Sequence, residues 1–223
     1  MRIHIQTTSN SSVVPFDYQQ KLIGTIHKWL GNNEIHDKIS LYSFSWLLGG
    51  EMIKNQGFNF PDGADFFVSF YEDGYLKILI RTILSDPEMF CGLAVRDITI
   101  VNQPIFSEDA QYFRLASPIF IKRLKEDGKD YKFYLFKDKE SGSLMTETLK
   151  HKMQEAGLPE DDTLKIEFDL SYTRKQEKLV KIHGIKNKSS MCPIIIQGRP
   201  ESKLFAWTVG IGNSTGSSFG SLL

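Results

Sequence analysis

The sequence predicts an α+β protein of two tandem ferredoxin-like (RRM-like) domains, each an antiparallel sheet with helices on one face. Three observations predict it. The 223 residues suit two compact domains; the first half alternates strand-like and helix-like segments in the split βαβ order; and the second half repeats that order. The expected domains are 1–112 and 113–223, packed closely because no linker rich in proline, glycine or serine separates them.

In the first half, Ile3 and Ile5 alternate with Arg2 and His4, as in a strand with one buried face. Asp17 and Gln20 resemble a capping box, and Tyr18, Leu22, Ile26, Trp29 and Leu30 recur at helical spacing until Gly31, which predicts a helix over 17–30. Residues 39–48 read as a strand. Residues 66–71 and 75–83 flank Glu72-Asp73-Gly74, a turn favoured in hairpins. Asp86-Pro87-Glu88 reads as a cap with proline at the first helical position, predicting a short helix to about Ala94, and 97–101 closes the unit.

In the second half, 113–122 and 131–136 are strand-like, 143–156 is helical up to Gly157, and 164–172 alternates again. Residues 178–185 and 193–197 supply further strands and 201–209 a short helix. The tail 219–223 is expected to close the sheet.

Composition sets limits on function. Apolar residues make up 41% and aromatic residues 12%, ordinary for a soluble globular protein, and no apolar run approaches membrane-span length. The first residues lack an apolar signal core, so the expected location is cytoplasmic. Cys91 and Cys192 are too few for a disulfide framework or a cysteine zinc site and read as buried spectators. No cofactor is expected.

The net charge of zero hides a polarity: 8 basic against 13 acidic residues through Tyr112, then 19 against 14. Arg174, Lys175, Lys178, Lys181, Lys186 and Lys188 face only Glu177, with His183 among them. Such a stripe is either a polyanion track or a solvated edge strand whose lysines prevent aggregation. Residues 210–223 are glycine-rich, with Gly210, Gly212, Gly216 and Gly220. Glycine lets consecutive N–H groups approach a phosphate, but the Lys-Ser/Thr of a P-loop and the strand-to-helix setting of a dinucleotide fingerprint are both missing. A phosphate-binding loop and a surface turn stay open on glycine content alone.

The chain resembles the CRISPR-associated endoribonucleases that cut repeat RNA, the Cas six members of the RAMP superfamily. Gly210-Ile211-Gly212 and Ser218-Phe219-Gly220 occupy the places of a C-terminal Gly-apolar-Gly, five residues, Gly-apolar-Gly loop, with Ser218 departing from it. Phe113-Arg114-Leu115-Ala116-Ser117-Pro118-Ile119 resembles the segment opening the family's second domain. The resemblance implies a metal-independent RNase acting on CRISPR repeat RNA, the precursor crRNA. Its further partners are other effector subunits, and its state is monomer or homodimer. Catalysis falls to His27 on the first helix and His36 before the aromatic strand Leu41-Tyr42-Ser43-Phe44-Ser45, with Lys38, or equally Ser40, as the third member. The glycine loop and the basic stripe hold the RNA. The competing reading is a non-catalytic RAMP protein that binds guide RNA in an effector complex.

The residue types suit that chemistry. RNA carries its own nucleophile, the 2′-hydroxyl, so cleavage needs a base, an acid and a cation near the phosphate. Histidine can take either proton role near neutrality, each worth roughly 10²- to 10⁴-fold. His27 is assigned as base and His36 as acid, a pair that also fits in reverse, with Lys28 or Lys38 stabilising charge. Glu34, His36 and Asp37 make only a weak metal cluster without a partner motif.

Overall fold

The computed structural model describes residues 1–31, 39–125 and 128–223. The first sheet has four antiparallel strands in the order β2-β5-β1-β6: β1 (Arg2–Thr7), β2 (Tyr42–Phe44), β5 (Asp65–Phe70) and β6 (Val95–Val101). Helices α1 (Gln19–Leu30) and α2 (Asp73–Ser85) cover it, and a small hairpin, β3 (Glu51–Ile53) with β4 (Gly57–Asn59), is inserted after β2. This is the ferredoxin-like strand order. The register of β1 puts Ile3 opposite both Val68 and Ile100, and Ile5 opposite Phe66 and Ile98, so the apolar alternation read in the sequence faces the helices.

The second half repeats the plan. Strands β10 (Lys165–Phe168), β13 (Ile194–Gln197) and β7 (Gln111–Phe113) pair in that order, and the chain end pairs beyond β7, with Leu115 opposite Leu222. Helices α3 (Ser141–Glu155) and α4 (Pro200–Val209) supply the cover. Two hairpins are added: β8 (Ile121–Leu124) with β9 (Tyr131–Tyr134), and β11 (Gln176–Ile182) with β12 (Ile185–Met191). The chain is therefore a tandem ferredoxin-like α+β protein, as its repeated pattern predicts. No helix among the described residues is long and apolar enough to cross a membrane.

Several local expectations are corrected. The segment read as the second arm of a hairpin, 75–83, is helix α2. Alternation would place Lys77 and Arg81 on the face of Leu79 and Ile83, whereas a helix buries Leu76, Leu79 and Ile83 together and leaves both basic residues in water. Glu72-Asp73-Gly74 begins that helix instead of turning a hairpin. The helix expected after Asp86-Pro87 is irregular, with one bridge between Glu88 and Ala94. Proline disfavours helical geometry in the residue before it, so Asp86-Pro87 stops α2 rather than starting a new helix. The capping box of α1 does not form: Tyr18 takes the cap position without a side-chain bond, and Gln20 reaches elsewhere. The strand expected over 39–48 is regular only at Tyr42–Phe44, and that over 113–122 is broken between Phe113 and Ile121, where Pro118 interrupts it.

The halves are joined around the C-terminal end of α4. A helix leaves its last four carbonyls without intrahelical partners, and each of these is satisfied. Ala206 O accepts from Gly210 N at 2.9 Å, Trp207 O from Arg2 Nη2 at 2.6 Å, Thr208 O from Ser43 Oγ at 2.9 Å and Val209 O from Lys152 Nζ at 3.3 Å. Two of those donors come from the first half. Arg2 is 2% exposed, its guanidinium lying 3.8 Å from the Phe67 ring centre and 3.5 Å from that of Trp207, with Nε donating to Ser69 Oγ at 2.7 Å. Two aromatic faces, two hydrogen bonds and the negative end of the helix dipole offset the burial of its charge.

Arg2→Met is expected to lower stability by about 3 kcal/mol, because it leaves Trp207 O unsatisfied and removes both ring contacts; urea unfolding checks this. Lys152 gives a pH-dependent counterpart. It is 2% exposed and desolvation lowers its pKa to about 7, so from there to the ordinary lysine value near 10.5 the unfolded chain holds a proton that the folded chain does not. Stability should rise with pH across that window, and Lys152→Met should flatten the rise in melting temperature measured from pH 7 to 10.

Candidate RNA-cleavage site at the seam

Helix α1 forms because Leu22, Ile23, Ile26, Trp29 and Leu30 make one buried stripe, and it ends at Gly31, whose N–H donates to His27 O and Lys28 O. The same stripe leaves His27 at the edge of the buried face, half-exposed. The neighbouring Lys28 is held by Asp86 at 2.9 Å, and Trp29 Nε1 donates to Asp86 O at 2.9 Å. This end of the helix is thereby pinned to the start of the loop after α2.

His27 Nε2 lies 3.4 Å from Tyr42 Oη, and Tyr42 Oη donates to Gly216 O at 3.2 Å. A histidine of the first half and the glycine-rich loop of the second are thus joined through one tyrosine. Burial pushes the Tyr42 phenol up to about 12. His36 and Lys38 lie outside the described residues, as do Glu34 and Asp37. Ser40, the alternative third member, lies beside the loop, its carbonyl accepting from Thr215 Oγ1 at 3.4 Å.

The four glycines are buried at the seam. Gly220, at φ +66°, abuts the backbone of Ile211, so a Cβ there would collide with the Ile211 carbonyl. At Gly216 a Cβ would sit 2.5 Å from Tyr42 Oη. Gly210 and Gly212 face the backbone of Gly220 and Phe120. Ser218, which departs from the loop pattern, takes a left-handed φ of +71° as a glycine would, while its carbonyl accepts from Trp46 Nε1 at 2.9 Å. Asn213, Ser214 and Ser217 are the parts of the loop that reach water.

The basic stripe divides. Within the β11–β12 hairpin, Lys181 pairs with Lys186 and Leu179 with Lys188, which places these three lysines on one exposed face. Lys178 lies on the opposite face, opposite Ser189 and beside Val180 and Ile182, which are buried in the core of the first half. His183 sits at the hairpin turn, where its N–H donates to Gln20 Oε1 at 2.8 Å, so the hairpin rests on the N-terminal part of α1. Arg174 is exposed. Lys175 is drawn inward, Nζ donating to Leu170 O at 2.9 Å and Tyr172 O at 3.1 Å.

Two clefts flank the hairpin. One, of about 480 Å³, is lined by Phe16, Asp17, Trp46, Phe58, Lys178 and Lys181. The other, of about 450 Å³, shares Trp46 and Lys178 and adds Arg114, Tyr172 and Arg174. Aromatic faces interleaved with cations suit single-stranded nucleic acid, whose bases stack and whose phosphates pair. Phe16, Trp46, Arg114 and Tyr42 were missed in the sequence. Tyr42 and Arg114 carried a signal, as members of the aromatic strand and of the segment opening the second domain.

The chain was compared with known proteins. No curated protein sequence matches it. Among solved structures it resembles the product of a Cas6-related gene from Pyrococcus furiosus at a TM-score of 0.85 and 21% identity, over all of this chain and 97% of that one. It also resembles a CRISPR associated protein Cas6, at 0.83 and 21% over 100% and 98% of the chains. A RAMP protein described as binding different RNA substrates matches at 0.84 and 18%, again over 100% and 98%. At these identities the likeness establishes the fold. The family model for CRISPR associated protein Cas6, C-terminal, matches residues 101–222, more than half of the sequence and including the glycine-rich loop, and the chain belongs to that family.

Proposed function

We propose that this protein is a metal-independent endoribonuclease that cleaves CRISPR repeat RNA by attack of the 2′-hydroxyl on the adjacent phosphate, leaving a 2′,3′-cyclic phosphate and a 5′-hydroxyl. One observation carries the reading: α1 brings its two ends to two different RNA-directed elements. Its N-terminal part supports the basic hairpin through Gln20 and His183, and its C-terminal part sets His27 against Tyr42 and the glycine-rich loop.

In this reading RNA supplies the nucleophile, and the protein supplies proton transfer and charge. His27 takes the 2′-hydroxyl proton and His36 gives one to the leaving 5′-oxygen, with Lys38 stabilising the phosphate. The single strand approaches through the clefts beside Trp46, phosphates against Arg174, Lys178 and Lys181, with Lys186, Lys188 and His183 extending the positive face. Lys175, turned toward the backbone, shapes the turn before the hairpin. Gly210, Gly212, Gly216 and Gly220 allow the tight seam and set the outward position of Asn213, Ser214 and Ser217, the groups of the loop that meet the RNA. The first half carries the proton chemistry and the second carries most of the binding.

Incubating labelled cognate repeat with the protein in EDTA tests the activity. His27→Ala and His36→Ala are each expected to slow cleavage at least 100-fold while binding is kept, and a 2′-deoxy substitution at the cut should abolish it. Unchanged cleavage in both variants would remove the histidine mechanism. Tight binding with an intact repeat would instead support the guide-binding reading. For the hairpin, the triple variant Lys181→Ala/Lys186→Ala/Lys188→Ala should weaken binding and reduce the slope of log affinity against log salt by about 2 for a single strand, measured by filter binding from 50 to 300 mM salt.

A further inference from the structure

Tyr42 has no part in the proton transfers above, although its hydroxyl lies where the two halves of the site meet. The residue is 3% exposed, and its ring lies 5.0 Å from that of Phe70 at an interplanar angle of 12°. Packing therefore fixes the phenol. A phenol has one hydrogen to donate and lone pairs to accept with. Here the hydrogen goes to the Gly216 carbonyl at 3.2 Å, so what the oxygen presents to His27 Nε2, 3.4 Å away, is a lone pair. Such a contact is satisfied when Nε2 carries a hydrogen and opposed when it does not. The loop's closeness is essential, since a Cβ at Gly216 would stand 2.5 Å from Tyr42 Oη and 2.8 Å from Ser40 Oγ.

We infer that Tyr42 is a positioning residue for His27: its hydroxyl, oriented by the Gly216 carbonyl, holds the neutral imidazole as the Nε2–H tautomer and makes Nδ1 the nitrogen that accepts the proton. The catalytic consequence rests on the reading of His27 proposed above; the contact itself does not. The phenol stays protonated through neutral pH because burial raises its pKa, so it orients the ring and does not act as a base. Among the described residues, the charged groups on the elements packed against the pair are otherwise engaged or turned away. Lys28 on α1 is held by Asp86, Lys21 on α1 is exposed, and Lys152 of α3 meets the loop at Thr215 Oγ1 at 2.9 Å. The inference also gives the glycine-rich loop a route to the proton chemistry: a shift at Gly216 reaches His27 through one hydroxyl.

Long-range ¹⁵N–¹H spectra of the histidine-labelled full chain test this directly. The wild type should show His27 with the Nε2–H pattern; an Nδ1–H pattern there would overturn the inference without any variant. Tyr42→Phe keeps the ring and its stack on Phe70 and removes only the hydroxyl. It should populate the second tautomer, lower kcat on the cognate repeat about five- to tenfold with KM little changed, and displace the acidic limb of the pH–rate profile by about half a unit to one unit. An unchanged tautomer or an unmoved profile in this variant would count against the role. If His27→Ala leaves cleavage intact, the catalytic reading of His27 fails, while the spectra still decide whether Tyr42 sets the ring.

Discussion

The structure depends on the satisfaction of four carbonyls at the end of α4. Buried acceptors without partners cost on the order of 1–3 kcal/mol each, and this helix ends inside the protein, between two sheets. The donors that answer them come from β1, β2, α3 and the turn at Gly210, so capping one helix also fixes the two halves to each other. Two of the donors, Arg2 and Lys152, are basic side chains at the negative end of the helix dipole. Ser43, Tyr42 and Trp46 continue the same line, donating to Thr208, Gly216 and Ser218. The first half is thus laced along the α4 end and the glycine-rich loop by side-chain donors meeting backbone carbonyls.

This arrangement explains why so short a strand as β2 matters. Its three residues pair with β5 on one side, Tyr42 opposite Phe70 and Phe44 opposite Val68. The side chains of Tyr42 and Ser43 meanwhile reach across the seam. The histidine of α1 inherits its surroundings from that geometry, and so does the loop, whose glycines are required by close backbone approach. The loop's glycines are interior, and Asn213, Ser214 and Ser217 are its surface.

The basic side chains fall into two groups. Arg2, Lys152 and Lys203 are buried with no carboxylate partner among the described residues and donate to backbone or hydroxyl oxygens; Lys203 holds the carbonyls of Ser107 and Asp109 just before β7. Lys181, Lys186 and Lys188 remain in water on one face of a hairpin. Val180 and Ile182 anchor that hairpin in the core of the opposite half, so its position relative to α1 is fixed by apolar burial while those lysines stay exposed.

The sequence by itself determined the repeated α+β plan, the first helix and the glycine-rich loop, because apolar periodicity and glycine punctuation are local signals. It also marked the charge stripe and His27. It misread 75–83 because a run of leucine and isoleucine satisfies both periods over a short window; only the position of Lys77 and Arg81 relative to a real core separates helix from strand. Tertiary structure alone decided that Lys175 and Lys178 turn away from the face of Lys181, since strand register and a backbone turn set side-chain direction. It also placed Tyr42 between Gly216 and His27, residues 174 and 15 positions away in the chain. No local pattern encodes such a contact, because it exists only once two separately folded sheets share the capping of one helix.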